Sequence, residues 1–233
     1  MSRQINAVLV TGERRAGSTT FAKFLSSLLS SKNSKGLLVH TDIEDMIDWY
    51  RHFHGPLGQE VKKYVDAKNP LPQDILRKMF IDWFQHLLAG NPKLETIIVS
   101  GLLPVTDEVM LAYTHEFGLS RATVIHLVDS KGLPQSANSN TVGITLWLDR
   151  SVPLTAKLEK ALRHFQTVDH TPVPKHIAVR GLNRLRAGNH PIHQKIRIAE
   201  KSGASETLGA APQPAQVGPP MAFLGKGPFA APA

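Results

Sequence analysis

Five short apolar runs, rich in β-branched residues, punctuate the first 150 residues: INAVLVTG, KGLLVHTD, ETIIVSG, ATVIHLVD and GITLWLD. Their length and composition predict buried strands. Segments with helical periodicity lie between them. Phe21, Phe24, Leu25, Leu28 and Leu29 form one apolar face, and Ile75, Met79, Trp83 and Leu87 form another. The second face sits in LPQDILRKMFIDWFQHLLAG, with Pro72 near its start and Gly90 at its end, the usual helix punctuation. Strands alternating with helices predict right-handed crossovers, a five-stranded parallel sheet and a three-layer α/β/α fold.

Past the fourth run, SKGLPQSANSNT at 130–141 has the Gly, Pro, Ser and Asn content of a loop. PLTAKLEKALRHF at 153–165 predicts a further helix, and beyond residue 172 the periodicity weakens. From 202 onward the chain is Gly-, Ala- and Pro-rich without a period, which predicts a disordered tail.

Charge alters this picture in one place. The net charge of +8 is uneven: residues 1–150 carry 16 Lys and Arg against 15 Asp and Glu, whereas 151–201 carry 10 against 3. The second segment is either a surface for polyanions, nucleic acid among them, or a solvated face. Few aromatics interleave its basic residues, which argues against base stacking. The chain has no cysteine, so disulfides, cysteine zinc sites and cysteine nucleophiles are excluded. No stretch nears the roughly 20 apolar residues that span a bilayer, and a cytoplasmic location is the expectation. The 11 histidines include the pairs His52/His54 and His190/His193, but neither has the i, i+4 spacing of a helical metal site.

Candidate chemistry sits directly after the first run. TGERRAGSTT at 11–20 places G-x-x-x-x-G between a strand and an amphipathic helix. Glycines let backbone N–H groups curl around a phosphate, and the helix adds its positive dipole end. The candidate phosphate-binding residues are Gly12, Arg14, Arg15, Gly17, Ser18, Thr19 and Thr20, the threonines offering hydroxyls to a phosphate or a metal ion. The lysine that should follow the second glycine is absent, and Ser18 stands in its place. Either Arg14 and Arg15 supply the missing charge, or both face solvent.

TGERRAGSTTFAKFL resembles the opening loop and first helix of the adenylate kinases, G-x-P-G-x-G-K-G-T. HTDIEDMID is similar to that family's S-T-G-D-M-L-R segment. GPLGQEVKKYVDAKNPLPQD is similar to its P-L-G-x-x-[IV]-K-x-Y-[ML]-D-x-G-x-L-V-P-D. The likeness runs over about residues 5–170. It implies a P-loop fold, with a nucleotide-binding domain at 1–172. Within that domain lie a helical insertion at 41–80, which binds the monophosphate, and a reduced lid at 130–148. A basic extension at 173–201 and the tail at 202–233 follow. It further implies a monophosphate site drawing on Thr41, Asp45 and Gly101, and phosphate transfer from ATP with magnesium.

The charged positions of that pattern are nearly all replaced. The loop lysine falls on Ser18, and the arginine after D-M-L on Asp48. The D-G-F-P-R segment falls on Ser100 to Pro104, and its following glutamine on Glu108. The lid arginines have no counterpart beyond Lys131, and a C-terminal arginine falls on Ala161, with Arg163 two residues later. Phosphoryl transfer depends on positive charge around the transferred group, and losing one such donor costs about 10²–10³-fold in rate. The expectation is therefore a kinase-like nucleotide-binding scaffold that is weak or inactive as a kinase. An active kinase with relocated charges, and a polyanion-binding or assembly protein using 157–201, are the alternatives. The acidic group Asp42, Glu44, Asp45 and Asp48 either repels a monophosphate or is the solvated start of a helix. Trp49, Tyr50, Trp83 and Phe84 are expected to pack the core or cover the pocket.

Overall fold

The structure, a computed structural model, describes residues 5–12, 16–30, 38–52, 55–101, 119–128, 144–187 and 191–205. Glu13, Arg14, Arg15, His54, Pro104, Glu108, Lys131, His190, the 130–141 loop and the predicted tail from 206 lie outside those residues.

Each of the five apolar runs forms a strand: β1 (Ile5–Gly12), β2 (Leu38–Asp42), β3 (Thr96–Ser100), β4 (Leu119–Val128) and β5 (Ile144–Asp149). They form one sheet in the order β2-β3-β1-β4-β5, and every pairing is parallel. The fold is thus the expected α/β sheet flanked by helices. Residues 144–148, expected in the reduced lid, belong to β5 and pair with β4.

Strand alternation divides the core into two layers. Val8, Val10, Ile98, Ile125, Leu127 and Leu146 face α1 (Ser18–Leu29), α5 (Leu154–Thr167), α6 (Lys175–Arg186) and α7 (Pro191–Ser205). Ala7, Leu9, Ile97, Val99 and Val124 face α2 (Ile43–His52), α3 (Pro56–Asp66) and α4 (Gln73–Gly90). In α4 the buried face is Ile75, Met79, Phe80, Phe84 and Leu87, while the expected Trp83 is only partly buried. Trp83 instead meets Trp49 edge-on at 5.5 Å. Tyr50 is fully buried and donates to Asp82 Oδ2 at 2.5 Å.

Beyond residue 172, where periodicity weakens, Lys175–Arg186 forms α6 and Pro191–Ser205 forms α7 on the same core as α1, so residues 202–205, expected in the disordered tail, end a helix instead. Val173, Ala178, Leu182, Leu185, Ile192 and Ile196 are all buried there. Small residues obscure the pattern in α6, because Gly181 takes a core-facing position. A Cβ on it would meet Leu162 Cδ2 at 3.0 Å.

Candidate functional site

In an open parallel sheet, ligands bind beyond the carboxyl ends of the strands, where the strand order reverses. Here the reversal surrounds the central strand β1, and its carboxyl end delivers the glycine-rich turn. Gly12 pairs with Leu127, and a Cβ on Gly12 would lie 2.6 Å from the Leu127 carbonyl oxygen. Only glycine lets β1 and β4 stay this close as the chain turns. Gly17 has φ 79°, a left-handed conformation that glycine adopts without strain, and opens directly into α1. No side chain caps α1, so its first-turn N–H groups keep their capacity to meet an acceptor. Ser18 and Thr19 are half-buried at the helix start, and Thr20 is exposed.

Asp42 and Ser100 pair across β2 and β3, and Val10 pairs with Ser100 on the other side. On β2, residues 40 and 42 share the face that looks toward α1. The side chains there join into one chain of hydrogen bonds. Thr19 Oγ1 donates to Asp42 Oδ2 at 2.7 Å, and Ser100 Oγ donates to the same oxygen at 2.5 Å. The Glu44 backbone N–H donates to Asp42 Oδ1 at 2.9 Å, so Asp42 also caps the start of α2. With the Ser100 proton committed to Asp42, His40 Nε2 donates to Ser100 Oγ at 2.9 Å. Burial holds the His40 imidazole neutral and lowers its pKa to about 4; Asp42 opposes that shift and Lys23 adds to it.

Asp42 is 3% exposed and Ser100 fully buried, yet three donors converge on the carboxylate. That is the satisfaction a buried charge requires. Charge density at the strand edge therefore comes from a carboxylate with hydroxyl and amide partners. None of these three donors is a cation.

The predicted site residues divide accordingly. Thr19 joins the network. Gly12, Gly17 and Ser18 line the turn and the helix start. Thr41 is buried but takes the opposite face of β2, toward the α2 layer. Asp45 is exposed on the first turn of α2 and stands apart from the network. Gly101 follows Ser100 at φ 130°, with Ile43 Cβ 3.0 Å from where a Cβ would sit. Its role is to let the chain pass α2. The acidic group resolves into one buried member, Asp42, and three exposed ones. Asp48 lies 3.9 Å from exposed His52. Asp42, His40 and Ser100 as a connected set were missed. The signal was present: an i, i+2 pair at a strand end, followed by an acid in N-cap position before IEDM.

Ala161 corrects another expectation. It is fully buried among α1, α5 and α6 residues, so it is a core position. An arginine there would have no route to the strand edge. Arg163 is exposed and pairs with Glu159 at 2.8 Å.

The basic segment is largely committed to the protein itself. Lys157 donates to the Arg150 carbonyl, Lys160 to the Trp147 carbonyl, and Lys175 pairs with Asp169. Arg186 bridges Glu159, while Arg180 and Arg184 reach the carbonyls that end α1. Of the cations at 151–201, Lys195, Arg197 and Lys201 on α7 take no part in these contacts.

The described residues contain no group of three or more His, Asp or Glu side chains able to hold a metal ion. No described helix is long and apolar enough to cross a membrane. Neither a family model nor a curated protein matches the chain. Three of the solved structures similar to this chain are kinases. The APS kinase of Mycobacterium tuberculosis is 12% identical, with a TM-score of 0.44 over 71% of this chain and 99% of its own. A sugar kinase from Janibacter sp. is 17% identical, with a TM-score of 0.42 over 74% and 98%. A gluconokinase from Sinorhizobium meliloti is 14% identical, with a TM-score of 0.39 over 78% and 94%. None of the three is an adenylate kinase. At such identities and TM-scores, no substrate or activity passes from them to this chain.

Proposed function

We propose that this protein is a nucleotide-binding module built on an adenylate kinase-like frame, with phosphoryl transfer reduced far below kinase rates. The observation that carries the reading is the Thr19–Asp42–Ser100 network at the mouth of the glycine-rich turn. The turn and the uncapped first turn of α1 supply N–H groups and a positive dipole end for phosphate. Among the described residues, the neighbouring side chains supply hydroxyls and one carboxylate, and Ser18 stands where a lysine would stabilise a transferring phosphoryl group.

Magnesium fits this site only in company. One carboxylate and one threonine hydroxyl are too few oxygen ligands for a resident ion, but they match an ion already held by nucleotide phosphates. Thr19 and Asp42 would hold such an ion, and it would supply the charge neutralisation the side chains lack.

Titration calorimetry with ATP, ADP and AMP, each with and without magnesium, tests the reading beside a coupled turnover assay. The expected result is binding of ATP or ADP, strengthened by magnesium, with turnover far below the 1–100 s⁻¹ usual for kinases. Turnover within that range overturns the proposed loss of chemistry. Absence of binding under every condition overturns the module itself.

A further inference from the structure

The helix that presents its N-terminus to the candidate site is gripped at its other end. The last carbonyls of an α-helix have no partner within the helix and need donors from elsewhere. In α1 these donors are two guanidinium groups of α6. Arg180 Nη2 donates to the Leu29 carbonyl at 3.1 Å. Arg184 Nη1 donates to the Leu28 carbonyl at 3.2 Å and to that of Ser30. The two arginines are one turn apart, so both leave α6 on the same face. Between them is Gly181, which faces the last turn of α1. A Cβ there would be 3.4 Å from the Leu28 carbonyl oxygen. Cations at a helix C-terminus also complement its dipole.

We infer that Arg180 and Arg184 are positioning residues for the phosphate-binding turn, acting through α1 as a rigid rod. α1 buries Phe21, Ala22, Leu25, Leu28 and Leu29 and has no side-chain cap at its N-terminus. Its axial position is therefore set by core packing and by this clamp. A slip at the Leu28–Ser30 end displaces the first-turn N–H groups and Thr19, which must keep its 2.7 Å bond to Asp42. Arg180 and Arg184 of the basic 151–201 segment then serve the site indirectly, by holding a helix. The inference rests on the nucleotide-binding reading for its affinity arm only.

The test compares Arg184→Gln, Arg184→Lys and Arg186→Gln in the full chain, with ADP and magnesium as the probe. Arg186→Gln removes the same charge from the same helix, but Arg186 bridges Glu159 instead of touching α1. Arg184→Gln is expected to weaken ADP binding about tenfold, the equivalent of about one net hydrogen bond to phosphate. Arg184→Lys recovers part of the loss, and Arg186→Gln binds as wild type. Equal weakening in Arg184→Gln and Arg186→Gln overturns the clamp in favour of long-range charge; no weakening in Arg184→Gln overturns it outright. If wild type binds no ADP, the nucleotide-binding reading fails and hydrogen exchange decides the clamp. The Phe21 amide, bonded to the Gly17 carbonyl at 2.9 Å, should then exchange faster in Arg184→Gln than in Arg186→Gln. Equal exchange overturns the inference. If Arg184→Gln does not fold, Arg180→Gln, which loses the bond to the Leu29 carbonyl, replaces it and is held to the same outcomes.

Discussion

Acid should destabilise this protein through His40 well before its carboxylates protonate. The imidazole lies between α1 and β3 and donates to Ser100, with its pKa lowered from 6.5 to about 4. The group is a base whose folded pKa is depressed, so the fold favours its neutral form. Above pH 6.5 the histidine is neutral in both states and its contribution is intact. As the pH falls from 6.5 to about 4, the unfolded chain takes up the proton and the folded chain resists it, so stability is lost across that window. A shift of about 2.5 units, at 1.36 kcal/mol per unit, amounts to about 3 kcal/mol between pH 7 and pH 4. Urea denaturation at half-unit steps from pH 8 to pH 4 measures this, with His40→Gln as the partner variant because it keeps a donor toward Ser100. Burial lowers the pKa of His126 and His164 in the same direction, but both residues are present in each protein and cancel in the difference. Wild type should lose about 3 kcal/mol more than His40→Gln over the window. Parallel pH curves for the two proteins would refute the buried, neutral His40 and the relay built on it.

Gly12→Ala places a Cβ 2.6 Å from a backbone oxygen and should cost about 2–3 kcal/mol, whereas Gly17→Ala faces open space and should cost about 1–2 kcal/mol of left-handed strain. Thermal melts rank the two, and the reverse order would count against the β1–β4 approach. Tyr50→Phe removes the bond to Asp82 Oδ2; since that carboxylate is 37% exposed and rehydrates, the loss should be about 1–2 kcal/mol by urea denaturation. Ser18→Lys should tighten ATP binding about tenfold by adding a charge-assisted bond to phosphate, read by calorimetry, while lowering stability by up to about 1 kcal/mol through its position at the positive end of α1.

Most of the sheet was legible because each strand is a compact apolar run; the strand order and register come from the structure alone. The helices α1, α4 and α5 were legible by period. α6 was not, because its core positions include Ala178 and Gly181, and small residues carry little hydropathy even when they pack most closely. The site was half legible. Glycine spacing marked the turn from sequence alone. The network was hidden because Asp42, Ser100 and Thr19 are far apart in the chain and meet only through the pairing of β2 with β3. Motif alignment pointed to Asp45, three positions away, where the backbone turns the side chain outward. It also counted Ala161 as a lost charge, although burial beneath α1 makes that position unable to carry one.

Removing Ala161 from the tally sharpens what the replacements have done. A site for metal-bound phosphate has two electrostatic halves, one negative for the metal and one positive for the phosphate. In the proposed site the negative half is the Asp42 carboxylate, with the Ser100 hydroxyl 2.5 Å from it one strand over. Among the described residues, the positive half is the N-terminal end of α1, worth about half an elementary charge. Free phosphate oxygens approaching Asp42 then meet repulsion that the dipole offsets only in part. The same phosphates carrying a divalent ion meet an oxygen ligand in Asp42. The site should therefore discriminate by the metal's presence more than by the nucleotide's length, and the ratio of ATP affinities with and without magnesium should exceed the ratio of ATP to ADP affinities with magnesium. In Asp42→Asn the first ratio should collapse while metal-free binding improves. A variant in which metal-free binding weakened instead would show that Asp42 supports the turn structurally, and that the charge balance drawn from the network is wrong.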